Sequence, residues 1–351
     1  METHENATER DSLQESEGFT ERDLELITAL QVAPRASWED LAGVLGVHAS
    51  TLSRRWSRLV DSGLARTSVA PGPELSRLID MAFVELTCQN SKVQDVVDHL
   101  MPDERLMSIQ FVAGSAHLLL TVAAAEHGLA DFLLTTIGSM DGVLHYAVRS
   151  VTSQIFGANK WHFRALPAGK LRELVRLHQE SAPTGESALL EMSGVNRTLI
   201  RALAMDGRAS FRELAAIAGI SPVAAARRVG RLIGGGYINV RCDVARRGSG
   251  RSFSAVLWGS MEPRKIPVID DGVLERIAAL RIMATVTGSN NIHMVAWLNN
   301  PLDLPQVEQE LLDAIPGLTI DDRRIVLRTF KYNGARLNAD GTFGQVFPMA
   351  Y

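Results

Sequence analysis

Two stretches of this chain repeat each other without a gap, and any fold it adopts has to accommodate both copies. Arg35-Ala36-Ser37-Trp38 through Gly63-Leu64-Ala65 aligns with Arg208-Ala209-Ser210-Phe211 through Gly236-Tyr237-Ile238, an offset of 173 residues (35 to 208). Leu41-Ala42 falls on Leu214-Ala215, Gly46-Val47 on Gly219-Ile220, Arg54-Arg55 on Arg227-Arg228, and Arg58-Leu59 on Arg231-Leu232. Each copy reads as a helix, a turn opened by glycine, and a second helix with arginines on one side.

That order is the sequence form of a helix-turn-helix, whose second helix enters the DNA major groove. In the first copy the periodicity predicts a helix near 20–30, a helix over Trp38–Leu45 capped by Ser37, and a recognition helix over Ala49–Asp61. Leu52, Trp56 and Leu59 form its buried face, leaving Ser50, Thr51, Ser53, Arg54, Arg55 and Arg58 for bases and phosphates. In the second copy Ser221-Pro222 opens the recognition helix. Ser221, Arg227, Arg228 and Arg231 complete the expected DNA-contacting set, while Val223, Ala224 and Ala226 leave few side chains able to read bases. Leu64–Val69 and Tyr237–Arg241 are short enough to be wing strands.

The net charge of −4 is wrong for a nucleic-acid binder if it is spread evenly. It is not. From Asn196 to Arg251 eleven arginines face three acids, whereas from Glu21 to Ala70 six arginines and six acids cancel. Charge bookkeeping therefore makes the second unit strongly basic. No apolar run is long enough to cross a bilayer, and the two cysteines, Cys88 and Cys242, suit a reducing cytoplasm.

Behind each unit the period changes. Strands at Met81–Cys88, Arg105–Ala113, His117–Ala123 and Val143–Gln154, with helices at Ser91–Leu100 and Leu129–Ile137, give the order βαββαβ of the ferredoxin-like unit. A second set follows, with strands at Ser252–Trp258, Arg281–Thr287, Ile292–Leu298 and Leu318–Phe330. Its helices fall at Val268–Leu280 and Gln306–Ala314. The fold class is α+β: two tandem repeats, each a winged helix-turn-helix followed by a ferredoxin-like domain. The boundaries are an acidic tail at 1–19, helix-turn-helix units at 20–70 and 188–243, and ferredoxin-like domains at 75–165 and 252–333. A connector spans 166–187 and a C-terminal tail 334–351. Each sheet leaves one face uncovered, and a partner sheet is the natural cover.

Ala218-Gly219-Ile220-Ser221-Pro222, then Arg227-Arg228, Arg231-Leu232 and Gly236-Tyr237-Ile238, resemble the helix-turn-helix of the Lrp/AsnC (feast/famine) transcription regulators. The first copy is similar, with His48-Ala49 in place of Ser221-Pro222. The βαββαβ domains resemble that family's effector domain. The resemblance implies sheets paired as an internal pseudo-dimer, double-stranded DNA as partner, and further homo-oligomers. It also implies an amino-acid-like effector near the turn after the second effector strand. That maps onto Gly114, Ser115, Ala116 and His117, and onto Gly288, Ser289, Asn290 and Asn291. The aromatic residue and aspartate usual after that glycine are missing from both halves.

Two other readings stand beside the regulator. Siroheme decarboxylases are similar in architecture and carry helix-turn-helix units that need not bind DNA; a protein-binding regulatory subunit is the third. No nucleophile–base pair, paired carboxylates or metal-ligand spacing occurs, so no catalytic residue, metal or cofactor is assigned. A lone histidine such as His117 is more often a satisfied residue than a ligand. Gly248-Ser249-Gly250 reads as a basic linker, not a phosphate loop.

Overall fold

A computed structural model describes residues 18–157, 161–181, 191–269, 272 and 277–349. The expected acidic tail, except at its inner end, and the hinge beyond Ser181 lie outside the described residues. The first unit is α1 (Glu21–Val32), α2 (Trp38–Leu45), α3 (Ala49–Asp61) and β1 (Ala65–Pro71). Its first sheet domain is β2 (Ile79–Cys88), α4 (Val93–Leu100), β3 (Leu106–Val112) and β4 (Leu118–Ala125). A short α5 (Gly128–Asp131) follows, running on as a π-helical turn over Phe132–Ile137, and then β5 (Val143–Phe156). After the connector α6 (Ala168–Ser181) the second unit is α7 (Gly194–Met205), α8 (Phe211–Ala218), α9 (Pro222–Gly234) and β6 (Ile238–Val244). β7 (Phe253–Ser260), β8 (Leu280–Val286), β9 (Ile292–Leu298), α10 (Leu304–Ala314) and β10 (Thr319–Tyr332) build the second sheet domain.

Local chemistry accounts for the helix ends. Thr20 and Asp23 form a reciprocal capping box on α1, and Ser210 and Glu213 form one on α8. Gly46 (φ 72°) and Gly219 (φ 66°) close α2 and α8 in the left-handed region at equivalent repeat positions. The cores of the two units are also equivalent: Leu52, Trp56 and Leu59 are buried in one, Ala225, Val229 and Leu232 in the other.

The wing strands do not form hairpins within their own units. β1 pairs antiparallel with β6 across the repeat, Ser68 opposite Arg241 and Arg66 opposite Asp243, so each strand satisfies the other's backbone. The sheet domains meet in the same reciprocal way. β5 pairs along its first part with β2 and along its last part with β8; β10 pairs first with β7 and then with β3. The resulting circuit, β10-β3-β4-β2-β5-β8-β9-β7 and back to β10, is a closed eight-stranded antiparallel barrel. The expectation that each sheet covers the other is met within one chain, and closure by β5 and β10 removes the free edges. Helices lie outside, with Val97 and Leu100 of α4 in one core with Leu86 and Leu120, and Leu311 of α10 in another with Leu257, Met283 and Met294.

Two expectations need correction. Residues from 334 on were read as a tail, but β11 (Ala335–Leu337) and β12 (Phe343–Val346) form a hairpin continuing from β10. The turn is Asn333-Gly334, with φ of 47° and 80°, between paired Tyr332 and Ala335. An Asn-Gly pair with both φ positive is the preferred two-residue hairpin turn, and that signal was in the sequence. The helix expected over Val268–Leu280 is not formed at its ends. Pro263–Val268 is a 3-10 helix and Leu280 already begins β8; most residues between lie outside the described set.

Candidate nucleic-acid interface

The two helix-turn-helix units are clamped by a reciprocal pair of arginines. Arg35 donates to the carbonyls of Gly207 and Ala209, and its repeat equivalent Arg208 donates to those of Pro34 and Ala36 at 2.7 and 3.0 Å. Arg208 lies 4.1 Å from the Trp38 ring centroid and Arg35 4.9 Å from that of Phe211, again equivalent positions. Burial, then the charge of Arg35, pushes the Arg208 guanidinium down to about 10. These arginines join units and are not presented to a ligand.

The charge bookkeeping therefore needs revision. Of the arginines counted toward the second unit's basicity, Arg208 is in the clamp, Arg201 pairs with Glu104, and Arg241 pairs with buried Asp243 at 2.8 Å. Arg246 donates to Thr329 Oγ1 and Arg251 to the Trp297 carbonyl. A sequence count cannot separate charges that hold the protein together from charges that face solvent. What α9 presents outward is Arg227, Arg231 and Val223, all exposed, with Arg228 half-buried.

The recognition helices differ in how their arginines are held. In α3, Arg55 and Arg58 both reach Asp23 Oδ1, at 2.8 and 2.7 Å, and Asp23 is almost wholly buried. Burial alone would raise the Asp23 carboxyl, but hydrogen bonds from Arg55 and Thr20 and the charge of Arg58 outweigh it and hold it below the usual carboxylate range. In α9 the equivalent of Asp23 is Asn196, whose Oδ1 accepts from Arg228 at 3.1 Å. An amide brings no charge, so Arg228 and Arg231 keep theirs. Ser50 and Arg54 are exposed on α3, with Thr51 and Ser53 half-buried beside them. Ser221 accepts from the Ala224 amide at 3.2 Å, which makes it the α9 cap.

The proposed effector turns are satisfied internally. His117 Nδ1 accepts from the Cys88 amide at 3.0 Å, so that nitrogen carries a lone pair and the ring serves the backbone. The Asn291 side chain bonds both the amide and the carbonyl of Met261, at 2.9 and 2.8 Å, and Asn290 donates to Asp321. Gly114 and Ser115 are exposed and Ala116 is buried; Gly288 and Ser289 are exposed.

The model of the AsnC-type helix-turn-helix domain matches at two places, residues 20–60 and 192–233. The HTH-type transcriptional regulator FL11 of Pyrococcus abyssi is 25% identical over 124 residues, 35% of this chain and 82% of that protein. The chain carries two AsnC-type helix-turn-helix domains in tandem. Among solved structures, the siroheme decarboxylase NirDL in complex with an iron-uroporphyrin III analogue matches 95% of this chain and 94% of its own, at TM-score 0.56 and 13% identity. That likeness is one of fold. Escherichia coli AsnC matches 38% of this chain and 92% of its own, at TM-score 0.33 and 18% identity. The two AsnC-type units carry an asymmetry invisible to the domain match, since Asp23 and Asn196 lie inside the matched segments.

Proposed function

We propose that this chain is a DNA-binding transcriptional regulator and not an enzyme, with the second helix-turn-helix supplying most of the affinity. The observation that carries this reading is Arg227 and Arg231 exposed on the recognition helix of an AsnC-type unit. No carboxylate pairs with either among the described residues. The first unit binds more weakly and contributes sequence preference through Ser50, Thr51, Ser53 and Arg54. The barrel domains tune occupancy by binding a small effector, as L-methionine is bound by the regulator NMB0573 of Neisseria meningitidis. Chains associate further into at least a dimer, cytoplasmic like other regulators of this type.

The test is footprinting on upstream DNA at several salt concentrations. Replacing Arg227, Arg228 and Arg231 together by alanine abolishes most binding and flattens its salt dependence; unchanged binding rejects the reading. A tetrapyrrole enzyme is the second reading, favoured by the overall fold likeness to NirDL and by buried arginines at the barrel lumen. A stable Soret band after incubation with iron-uroporphyrin, without salt-sensitive DNA binding, would select it.

A further inference from the structure

The barrel lumen is filled over only part of its length. Phe83, Val256, Trp258, Val286 and Val326 form an apolar plug, and Glu85 bridges Arg149 and Arg324 beside it. Next to the plug lies a cavity of about 200 Å³. Its walls are apolar where Ile79, Met81, Met107, Leu119 and Val295 face it, and Arg241, Arg281, His293 and Tyr332 also line it.

The charge around this cavity is unbalanced. Asp243 is the buried carboxylate of the cluster, and it is used up: it pairs with Arg241 and accepts from Ser68 and Asn333. Arg66, also buried, is held by the carbonyls of Asn333 and Ala204. Arg281 is 4% exposed, lies 3.9 Å from the ring centroids of both Trp161 and Trp297, and interacts with the Tyr332 hydroxyl, but has no hydrogen-bond partner for Nε or Nη1 among the described residues. His293 is wholly buried on Phe83, ring centroids 3.7 Å apart, with both ring nitrogens unpartnered among the described residues. Among the described residues no aspartate or glutamate lines the cavity. Donors and cations without acceptors call for an anion.

We propose that the lumen cavity binds a small organic carboxylate with an apolar body and no amino group, its carboxylate on Arg281. The volume is below that of pockets for drug-sized ligands and fits about ten non-hydrogen atoms. An α-amino acid is disfavoured because its ammonium would enter a buried site that already holds uncompensated cations. Burial keeps His293 neutral, pushed down to about 3, so it can donate to the ligand without adding charge. The site is separate from the Gly114 and Gly288 turns. Pro71 and Asn239 of the β1–β6 ribbon also line the cavity, so a ligand touches the strands that join the two DNA-binding units. Only that regulatory consequence rests on the proposed function; the binding does not.

The experiment is calorimetry on the full chain with phenylacetate and 4-methylpentanoate against L-phenylalanine and L-leucine. Trp161 and Trp297 fluorescence gives a second readout. The expected result is saturable binding of the carboxylates, at least tenfold tighter than the matching amino acids. Arg281→Met loses that binding by tenfold or more, and Met81→Trp, which fills the cavity with Arg281 intact, does the same. Thermal melting of each unliganded variant shows that it folds. Equal affinity for acid and amino acid overturns the proposal, as do binding that survives both variants and no binding of either carboxylate. Carboxylate binding without any DNA binding would leave this site standing and remove the regulator.

Discussion

Asp23 and Asn196 occupy one place in the two repeats, and the replacement of an oxygen by an amide nitrogen decides what the neighbouring helix offers to DNA. Asp23→Asn should release Arg55 and Arg58 from their carboxylate. The magnitude of the salt slope of DNA binding should then rise by about 1–2, read by titration at several salt concentrations. The cost falls on folding. Because the Asp23 carboxyl is depressed in the folded state, its stabilisation is present above its unfolded value near 4 and is lost as pH falls through the folded value. Acid unfolding of the variant should lack that component. Lys331 gives the same sign at the alkaline end, here because burial disfavours its charged form. It is wholly buried, donating to the carbonyls of Met101 and Asp103, and burial pushes it down to about 8 against the charge of Asp103. Between about 8 and its unfolded value near 10.4 the unfolded chain binds more protons, so stability should increase with pH across that window. Urea midpoints at pH 8 and pH 10 measure it, and Lys331→Met should remove the rise.

Elements were legible wherever local chemistry decides them. Trp38–Leu45, Ala49–Asp61 and Ile292–Leu298 appear in the structure with the bounds their periodicity predicts, because apolar spacing and caps are written in adjacent residues. Pairing was not legible in that way. Nothing local says that β1 takes β6 as its partner, or that the last residues of β5 leave β2 for β8. The fate of the arginines was hidden for the same reason, since Arg35 and Arg208 meet carbonyls about 170 residues away. The lumen cavity is not legible in the sequence because its residues are scattered over nine strands. At this scale the clamp makes a prediction. Arg35→Ala or Arg208→Ala strips two carbonyls of a charged donor and should cost about 2 kcal/mol of stability, read by denaturant unfolding. If the clamp sets the spacing between units, either change should also weaken binding to a full site more than to an isolated half-site.

Across the whole molecule the two halves are alike in plan and unlike in detail, which no symmetric homodimer can be. One unit offers Ser50, Thr51 and Ser53 where the other offers Val223, Ala224 and Ala226, so the proposed function assigns base recognition to the first and phosphate affinity to the second. Sites selected from random DNA should be asymmetric, with one half more tightly specified than the other. Recovery of a short palindrome with both halves equally constrained would show that the units do not read independently. The barrel adds a second expectation. Its circuit needs strands from both halves, so residues 1–181 expressed alone should expose strand edges and self-associate, and addition of the second half should suppress this in light scattering.

The exchange of strand ends between halves also sets an order of events during synthesis. Phe156 finds its partner at Met283, and Val151 at Val286, so the end of β5 waits for some 130 further residues (156 to 286) to be made. At ribosomal rates of about 5–20 residues per second, that interval is roughly 7–26 s. Through it the first half carries an unpaired, partly apolar strand end outside the exit tunnel, long enough for a chaperone to bind or for neighbouring nascent chains on one message to exchange strands. Yield in the cell should therefore depend on translation speed through the second half more than on the stability of the finished barrel.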